Sequence, residues 1–377
     1  MPLSGLIIDR EGDLEPWLAQ WDQLAIAARQ PYSAPAWGTA WWRHARPETA
    51  ALRVVLAVDG DGTLGGIAPF WVDFDARGPA RYRMLGAGLA SPVEALMARG
   101  QEVEATQVIV SALETVEPRP GIIRLEKVRL ESAWPRLLAE TWAGSAWTHS
   151  AYFMPAPGVN LEGLNYDDWL KTKSRSFRQR ARRVRRHLEE AGGRFKVTEV
   201  SGLERDLRDF SRLHHARWDW RGGSSALGPG VEQMLGAVGR DLVPQERFRL
   251  LSIEIDGRAI SSHLFICAGG HVAYWNGGFD AASAEYAPGI QGLLQAIRDA
   301  TEREESYFDL GPGGQEYKYR LADRDELRAT LTLVPRRART YPHARMALLG
   351  YQARSTASQR LSPETKRRIQ SLRRVRR

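Results

Sequence analysis

Apolar positions recur along this chain at two spacings, and the spacing switches repeatedly between helical and alternating. Over residues 13–29, Leu14, Leu18, Trp21, Ala25 and Ala28 fall three or four apart, which predicts an amphipathic helix. A proline-aromatic stretch over 31–37 leads into a short helix carrying Ala40, Trp41 and His44. Residues 52–58 and 64–72 read as strands joined by Asp59-Gly60-Asp61-Gly62, a strong hairpin signal. Residues 81–85 and 122–128 read as further strands, with a helix over 105–115 between them. The stretch 152–163 reads as a connector because Pro155, Pro157, Gly158 and Gly163 punctuate it. One helix is predicted over 166–191, with Leu170, Phe177, Ala181, Val184 and Leu188 as its apolar stripe and Gly192-Gly193 as its stop. A strand over 195–200 and a helix over 203–220 follow.

The clearest pattern lies between 248 and 310. Strands at 248–255, 259–267 and 272–279 are separated by the turns Asp256-Gly257 and Gly269-Gly270. A loop over 280–287 precedes a helix over 288–304, with Pro288 where its missing N–H would have no partner. A short strand at 307–310 ends in Gly311-Pro312-Gly313-Gly314, and a last strand spans 327–334. The turns at Asp59-Gly60 and Asp256-Gly257 lie 197 residues apart, about half the chain, a weak sign of internal duplication.

At 377 residues the chain is long enough for two domains, and with 43% hydrophobic residues it has material for a real core. No apolar run approaches the ~18 residues of a membrane helix. The N-terminus does not read as a signal peptide. A lone cysteine, Cys267, allows neither an internal bridge nor a cysteine zinc site, so a reducing, cytoplasmic setting is expected and no metal is. The net charge of +8 is concentrated: nine basic residues and no acid over 171–186, and seven basic residues and no acid over 366–377. The rest of the chain carries a modest negative excess. This points to local anion-binding surfaces on an ordinary body. The basic helix could hold tRNA, a nucleotide-sugar diphosphate or an anionic polysaccharide, or could simply be a solvated face. The basic tail could touch anionic membrane lipids or nucleic acid, or be a free end.

Gly289 and Gly292 flank the start of the 288–304 helix, whose unpaired N–H groups suit a phosphate or pyrophosphate; the plainer reading is tight packing. The ordered set Tyr274-Trp275-Asn276-Gly277-Gly278-Phe279-Asp280, Ala287-Pro288-Gly289-Ile290, Phe308-Asp309-Leu310-Gly311 and Glu316-Tyr317-Lys318 resembles the GNAT acyltransferase superfamily. More narrowly it resembles the CelD-like, cellulose-biosynthesis-associated group, relatives of the FemAB aminoacyltransferases. Pro35-Ala36-Trp37, Trp41-Trp42, Gly66-Ile67-Ala68-Pro69-Phe70 and the arginine-rich run 175–183 match more loosely. The resemblance spans most of residues 30–335.

It implies an α+β fold of two tandem GNAT-like domains, each a mixed, mostly antiparallel sheet flanked by helices. These domains would occupy 1–155 and 156–340, before a basic tail at 341–377. It implies transfer of an acyl group from acetyl-CoA or another acyl-CoA to an amine or hydroxyl of a small-molecule or saccharide acceptor. An aminoacyl-tRNA-dependent transferase and a non-catalytic anion-binding protein are the alternatives. The donor would contact Asn276, Gly277, Tyr286, Pro288, Gly289, Ile290 and Gly292, and the acceptor or another anion would meet Arg175, Arg178 and Trp275. The match departs at Tyr286 and Gln291: the usual loop has Arg or Gln and then Gly or Ala at these places, so one pyrophosphate contact is lost.

Acyl transfer needs a deprotonated nucleophile, a stabilised oxyanion and a protonated leaving group. Backbone N–H groups near Asn276-Gly277-Gly278 could hold the oxyanion. Asp309 could orient or deprotonate the acceptor, or serve only as a turn residue. Tyr317 could protonate a leaving thiolate, and Lys318 could pair with phosphate or developing charge; alternatively Tyr317, Lys318 and Tyr319 alternate along a strand with one packed face. His263, mid-strand, is a second-rank base. His214-His215 has no third ligand, and Cys267 reads as a small buried hydrophobe.

Overall fold

The computed structural model describes residues 2–73, 78–142, 144, 146–218, 226–336, 341, 342, 345, 346 and 349. The strands are β1 (Ser4–Ile8), β2 (Ala51–Val58), β3 (Leu64–Asp73), β4 (Arg81–Met84), β5 (Leu96–Met97), β6 (Ile122–Arg129), β7 (Ala146–Asn160), β8 (Arg194–Val197), β9 (Phe248–Ile255), β10 (Arg258–Ala268), β11 (His271–Phe279), β12 (Tyr307–Asp309) and β13 (Arg324–Pro335). The helices are α1 (Leu18–Ala27), α2 (Pro35–His44), α3 (Glu102–Thr115), α4 (Trp134–Thr141), α5 (Tyr166–Lys171), α6 (Arg175–Glu190), α7 (Leu203–Trp218), α8 (Pro229–Leu242), α9 (Pro288–Glu302) and α10 (Glu316–Tyr319). Both hairpins read from the Asp-Gly turns form, as β2–β3 and β9–β10. The basic tail over 366–377 lies outside the described residues, and with it the membrane contact expected there.

The strands make one 13-stranded sheet in the order β1-β2-β3-β4-β6-β13-β7-β12-β11-β10-β9-β8, with β5 beside β3. Among the described residues only β4–β6 and β11–β12 pair in parallel. The α+β class and mostly antiparallel pairing are as expected, and the two sheets expected are joined into one. The order repeats. Each half has three strands linked by antiparallel pairing into a fourth, a helix, and a strand returning parallel to that fourth one. The closing strands are exchanged between halves: β7 ends the first half but pairs with β12, and β13 ends the second but pairs with β6. The two exchanged strands pair with each other from Ala146↔Pro335 to Gly158↔Arg324.

The exchange explains one correction. Residues 152–163 are not a connector; most of them belong to β7. Prolines cannot donate to a ladder, so they suit a strand with an open edge. Here β12 reaches only residues 158–160. The carbonyls of Pro155 and Pro157 instead accept the amides of Gly313 and Leu310 (2.8 and 3.1 Å). Gly158 is required because a Cβ there would collide with the Tyr307 hydroxyl. The single helix expected over 166–191 is two, α5 and α6, because Ser174 caps α6 by accepting the Phe177 amide (3.2 Å). Tyr317, Lys318 and Tyr319 form the short helix α10, not a strand.

One apolar core runs from α1, α2 and β2–β3 across the junction to α7, α8 and β10. A second surrounds α9, with Trp169, Phe265, Leu293, Ile297 and Phe308 buried in it. Burying each such side chain fully is worth roughly 1.5–3 kcal/mol, so these cores fix how α9 lies on β9–β11. Polar links cross the junction as well. Arg247 clasps Asp22 (2.6 and 3.0 Å), and the Tyr32 hydroxyl donates to the Ala273 carbonyl (3.2 Å). No described helix is long and apolar enough to cross a membrane.

Candidate active site

β11 is a strand with two lives. From His271 to Ala273 it pairs in parallel with β12, and beyond Ala273↔Asp309 that partner is gone. Residues 274–279 continue against β10 alone, through a bulge in which Trp275 is the extra residue between Leu264↔Asn276 and Phe265↔Tyr274. The parting of β11 and β12 leaves a gap in the sheet. Alternation then sorts the neighbours. Gly278 faces α7, where a Cβ would strike the Leu213 backbone. Gly277 faces the other side, where a Cβ would stand 2.7 Å from His263 Nδ1 and 2.6 Å from the Tyr274 hydroxyl. Gly292 of α9 presses on the same imidazole, with its would-be Cβ 2.5 Å from Nε2. Two glycines on two elements thus leave just enough room for one histidine ring.

Beside that ring is a cavity of about 360 Å³, walled by Arg217, His263, Tyr274, Phe279, Leu293 and Tyr317 and by the start of α9 from Ala287 to Ile290. Its lining is mainly apolar with a few convergent polar groups, the usual make-up of a small-ligand site. His263 is buried, and neither ring nitrogen has a well-formed hydrogen-bond partner in the protein. Burial, then the nearby Arg217 charge, pushes its pKa down to about 4, against a weaker opposing pull from the Pro288 carbonyl. At neutral pH it is an uncharged imidazole with an available lone pair. Burial raises the pKa of Tyr274 and Tyr317, and Arg217 pulls both back. Arg217 donates to the Gly277 carbonyl (2.9 Å) and lies over the Phe279 ring. Ala287, the residue before α9, holds a left-handed backbone (φ 42°) and accepts the amides of Ile290 and Gln291 (3.0 Å each).

The expected site residues divide into three groups. Tyr317, Pro288, Gly289 and Ile290 line the cavity, and Gly292 supports it through His263. Tyr286 lies just outside, tilted against His187 with ring centroids 5.0 Å apart. The others serve elsewhere. Asp309 is buried in an ion pair with Arg328, and its Oδ1 accepts the Gly311 amide (2.8 Å), so its carboxylate does not face the cavity. Lys318 spans the loop after β12, donating to the carbonyls of Gly311 and Pro312 (2.9 and 3.0 Å). Burial lowers its pKa to about 8, with Asp309 opposing. The Asn276–Gly278 amides do not form the expected oxyanion hole, because the Gly277 amide is taken by Asn276 Oδ1 (2.9 Å) and α7 covers Gly278. Trp275 belongs to the junction between halves, donating to the Leu89 carbonyl (2.9 Å) and packing against Trp37. Arg178 caps α5 through the carbonyls of Lys171 and Lys173 (2.9 and 2.7 Å). Arg175 is exposed on α6.

Three polar or aromatic wall residues have no role in the expectations from sequence: Arg217, Tyr274 and Phe279. Phe279 and Tyr274 alternate inward along a strand whose lost partner only the topology reveals. Arg217 sits in the last turn of α7, and nothing local marks it. Gln291, at the departure from the family loop, donates to the Ala181 carbonyl (3.1 Å) and fastens α9 to α6. Among the described residues no three His, Cys, Asp or Glu side chains gather to hold a metal ion.

Comparison with known proteins agrees with this geometry. Residues 175–319 match the family described as acetyltransferase (GNAT) domain. No sequence among the curated proteins matches the chain. Among solved structures the fold is similar to FemX, with a TM-score of 0.62 at 10% identity over 87% of this chain and 96% of that one. It is also similar to the C-terminal domain of a putative lysylphosphatidylglycerol synthetase from Agrobacterium fabrum, with a TM-score of 0.55 at 10% identity over 89% and 95% of the two chains. L-PGS from Bacillus licheniformis gives 0.52 at 10% identity over 92% and 98%. At such identities the likeness is one of fold. The gap between β11 and β12 and the glycine-rich start of α9 both lie within residues 175–319, the stretch that is similar to the acetyltransferase (GNAT) domain family.

Proposed function

We propose that this protein moves an acyl group from an acyl-CoA-type thioester to an amine or hydroxyl of a small-molecule or saccharide acceptor, in the cavity between His263 and Tyr317. The observation that carries this reading is the buried, uncharged imidazole of His263, with no well-formed hydrogen bond at either nitrogen, on the wall of an apolar slot. A buried polar group without a partner costs about 1–3 kcal/mol, and a ligand that hydrogen-bonds to it removes that cost. A thioester arm suits the slot, and Gly289 lets ligand oxygens approach the first turn of α9.

In the transfer, the acceptor nitrogen or oxygen attacks the thioester carbonyl, its new bond to carbon forms and the carbon–sulfur bond breaks. The proton lost by the acceptor passes to the lone pair of His263. The Arg217 charge favours the oxyanion in this low-dielectric pocket. Tyr317 donates its hydroxyl proton to the departing sulfur. Asp309 and Lys318 act at one remove, by holding the loop from which Tyr317 follows. A polysaccharide or envelope-precursor setting in the cytoplasm extends the proposal and rests on the CelD-like resemblance and the lone cysteine.

The test is a thermal-shift titration of the full chain with acetyl-CoA and longer acyl-CoAs, followed by thiol release with a panel of amines. A donor at a hundred times its Kd stabilises by about 2.7 kcal/mol, a readily measured rise in Tm. His263→Gln should keep donor binding and lose roughly 10²–10⁴-fold in turnover. Absence of any shift at millimolar acyl-CoA overturns the reading. A second reading, transfer from an aminoacyl-tRNA, has one observation in its favour: Arg175, Arg182, Arg183 and Arg186 share one exposed face of α6. Binding of charged tRNA with a steep salt dependence would favour it.

A further inference from the structure

A second cleft, of about 620 Å³, lies across α10 from the His263 cavity. Tyr317 lines one and Tyr319 the other. Two residues apart on a helix means roughly 200° of rotation, so the two rings face opposite sides. Phe177 lines the second cleft and packs in the same apolar cluster as Tyr317 and Ile290, which wall the first. The two spaces thus lie on opposite sides of α10 and border one apolar cluster.

The charge in this cleft is one-sided. Lys173 enters from the α5–α6 connection, Arg180 from α6 and Arg320 from the end of α10. Among the described wall residues the one carboxylate, Asp323, accepts the Asn160 amide at Oδ1 (2.9 Å) and also attracts the Lys173 ammonium. Arg320 has an exposed partner in Glu316 (2.5 Å). Among the described residues Arg180 makes no ion pair. The Lys173 ammonium reaches only the Ala322 carbonyl at 3.5 Å and otherwise sits over the Trp169 ring. It is a half-buried cation with no direct ion pair among the described residues; burial holds its pKa below the ordinary lysine value, against a weaker opposing pull from the Asp323 carboxylate. The hydroxyls of Ser174 and Ser176 stand at the same rim. Three cations from three segments, with hydroxyl donors between them, surround an anion of several oxygens better than a planar carboxylate, which one arginine fork would satisfy.

We infer that this cleft binds a phosphate or diphosphate group, and that the acceptor is a phosphorylated small molecule anchored here while its nucleophile reaches past α10 to His263. The inference rests on the acyl-transfer reading for the acceptor's role, but the phosphate site stands on the cleft alone.

The experiment is calorimetric titration of the full chain with inorganic pyrophosphate, without any acyl donor. Arg180→Glu and Lys173→Met are compared with Arg186→Glu, a charge reversal on the same helix outside the cleft. The expected result is one-to-one binding, weakened at least tenfold by either cleft variant and within twofold of the parent in Arg186→Glu. Equal weakening by Arg180→Glu and Arg186→Glu would mean diffuse attraction to the helix and overturns the site, as does the absence of binding. Acetyl-CoA titrated into the same variants reads the other cavity separately. Pyrophosphate binding with no acyl-CoA binding would sink the acyl-transfer reading and leave the phosphate site; the reverse would sink only the site.

Discussion

The uncharged state of His263 can be measured directly, because it makes folding sensitive to acid. Burial lowers the pKa of this group from 6.5 to about 4. In the unfolded chain it protonates near 6.5, so between those two values the unfolded state carries more protons than the folded one. Stability therefore falls as pH falls through that window. The full shift corresponds to about 3 kcal/mol, and about 2 kcal/mol of it is lost between pH 7 and pH 5. His271 also has a pKa lowered to about 4 by burial and adds to the same trend. The perturbation that isolates His263 is therefore His263→Gln, which deletes one titration and leaves the other.

Urea unfolding of both proteins at pH 7 and pH 5 should show the parent losing about 2 kcal/mol more than the variant over that interval. The histidine ring signals in carbon–proton correlation spectra provide the microscopic check. The resonance missing from the variant should titrate near pH 4 in the parent. Parallel pH profiles for the two proteins, or a ring that titrates at 6 or above, would refute the burial argument and with it the neutral base at the cavity wall. If the argument holds, turnover limited by this group is flat from about pH 6 upward and falls only as acid reaches the imidazole.

Gly292→Ala places a methyl against the His263 ring, and overpacking of this kind costs about 1–3 kcal/mol; a lower Tm together with loss of turnover exceeding that of an alanine elsewhere on α9 is expected. Ala287→Gly relieves a left-handed alanine and should raise the unfolding free energy by up to about 1 kcal/mol, read by urea denaturation. Arg328→Met strands the Asp309 carboxylate in the junction and should cost about 3–5 kcal/mol of stability. The double variant with Asp309→Leu should recover part of that loss, which a catalytic role for Asp309 would not predict for folding.

The sequence pattern located the C-terminal strands and α9 well because their boundaries are local. Asp256-Gly257 and Gly269-Gly270 mark the turns, and Pro288 marks a helix start. β7 was hidden for the converse reason: Pro155 and Pro157 say "turn" locally, and only the unpaired edge created by the strand exchange makes them acceptable. The break between α5 and α6 was masked by an unbroken run of basic residues whose cap, Ser174, is a single hydroxyl. The site was half legible. Tyr317 and the Pro288–Gly289 start are visible as motifs. The standing of His263 depends on Gly277 and Gly292 in two other elements, and no spacing rule joins them. Asp309 looked available because its partner, Arg328, lies in β13, where the pattern indicates only a strand.

The repeated topology also allows the two halves to be compared at the place where the second carries the His263 cavity. In the first half α3 stands between β4 and β6 as α9 stands between β11 and β12. Its first turn contains Glu102 and Glu104, and Glu104 accepts the Leu3 amide (3.0 Å). Each such carboxylate is favourable to the helix by about 0.3–1 kcal/mol and opposes an anionic ligand at the same spot. The first turn of α9 has no acid, and Gly289 leaves its backbone approachable. The space beyond the short fourth strand differs too. Past β4, Trp37 presses on Gly86 so closely that a Cβ there would stand 2.6 Å from the indole nitrogen. Trp41 and Trp71 pack tilted together nearby, ring centroids 5.4 Å apart. In the second half the corresponding gap holds His263, Tyr274 and Tyr317 around open volume. The two halves share a strand plan and differ at these two places, in acid at one helix start and tryptophan in one gap.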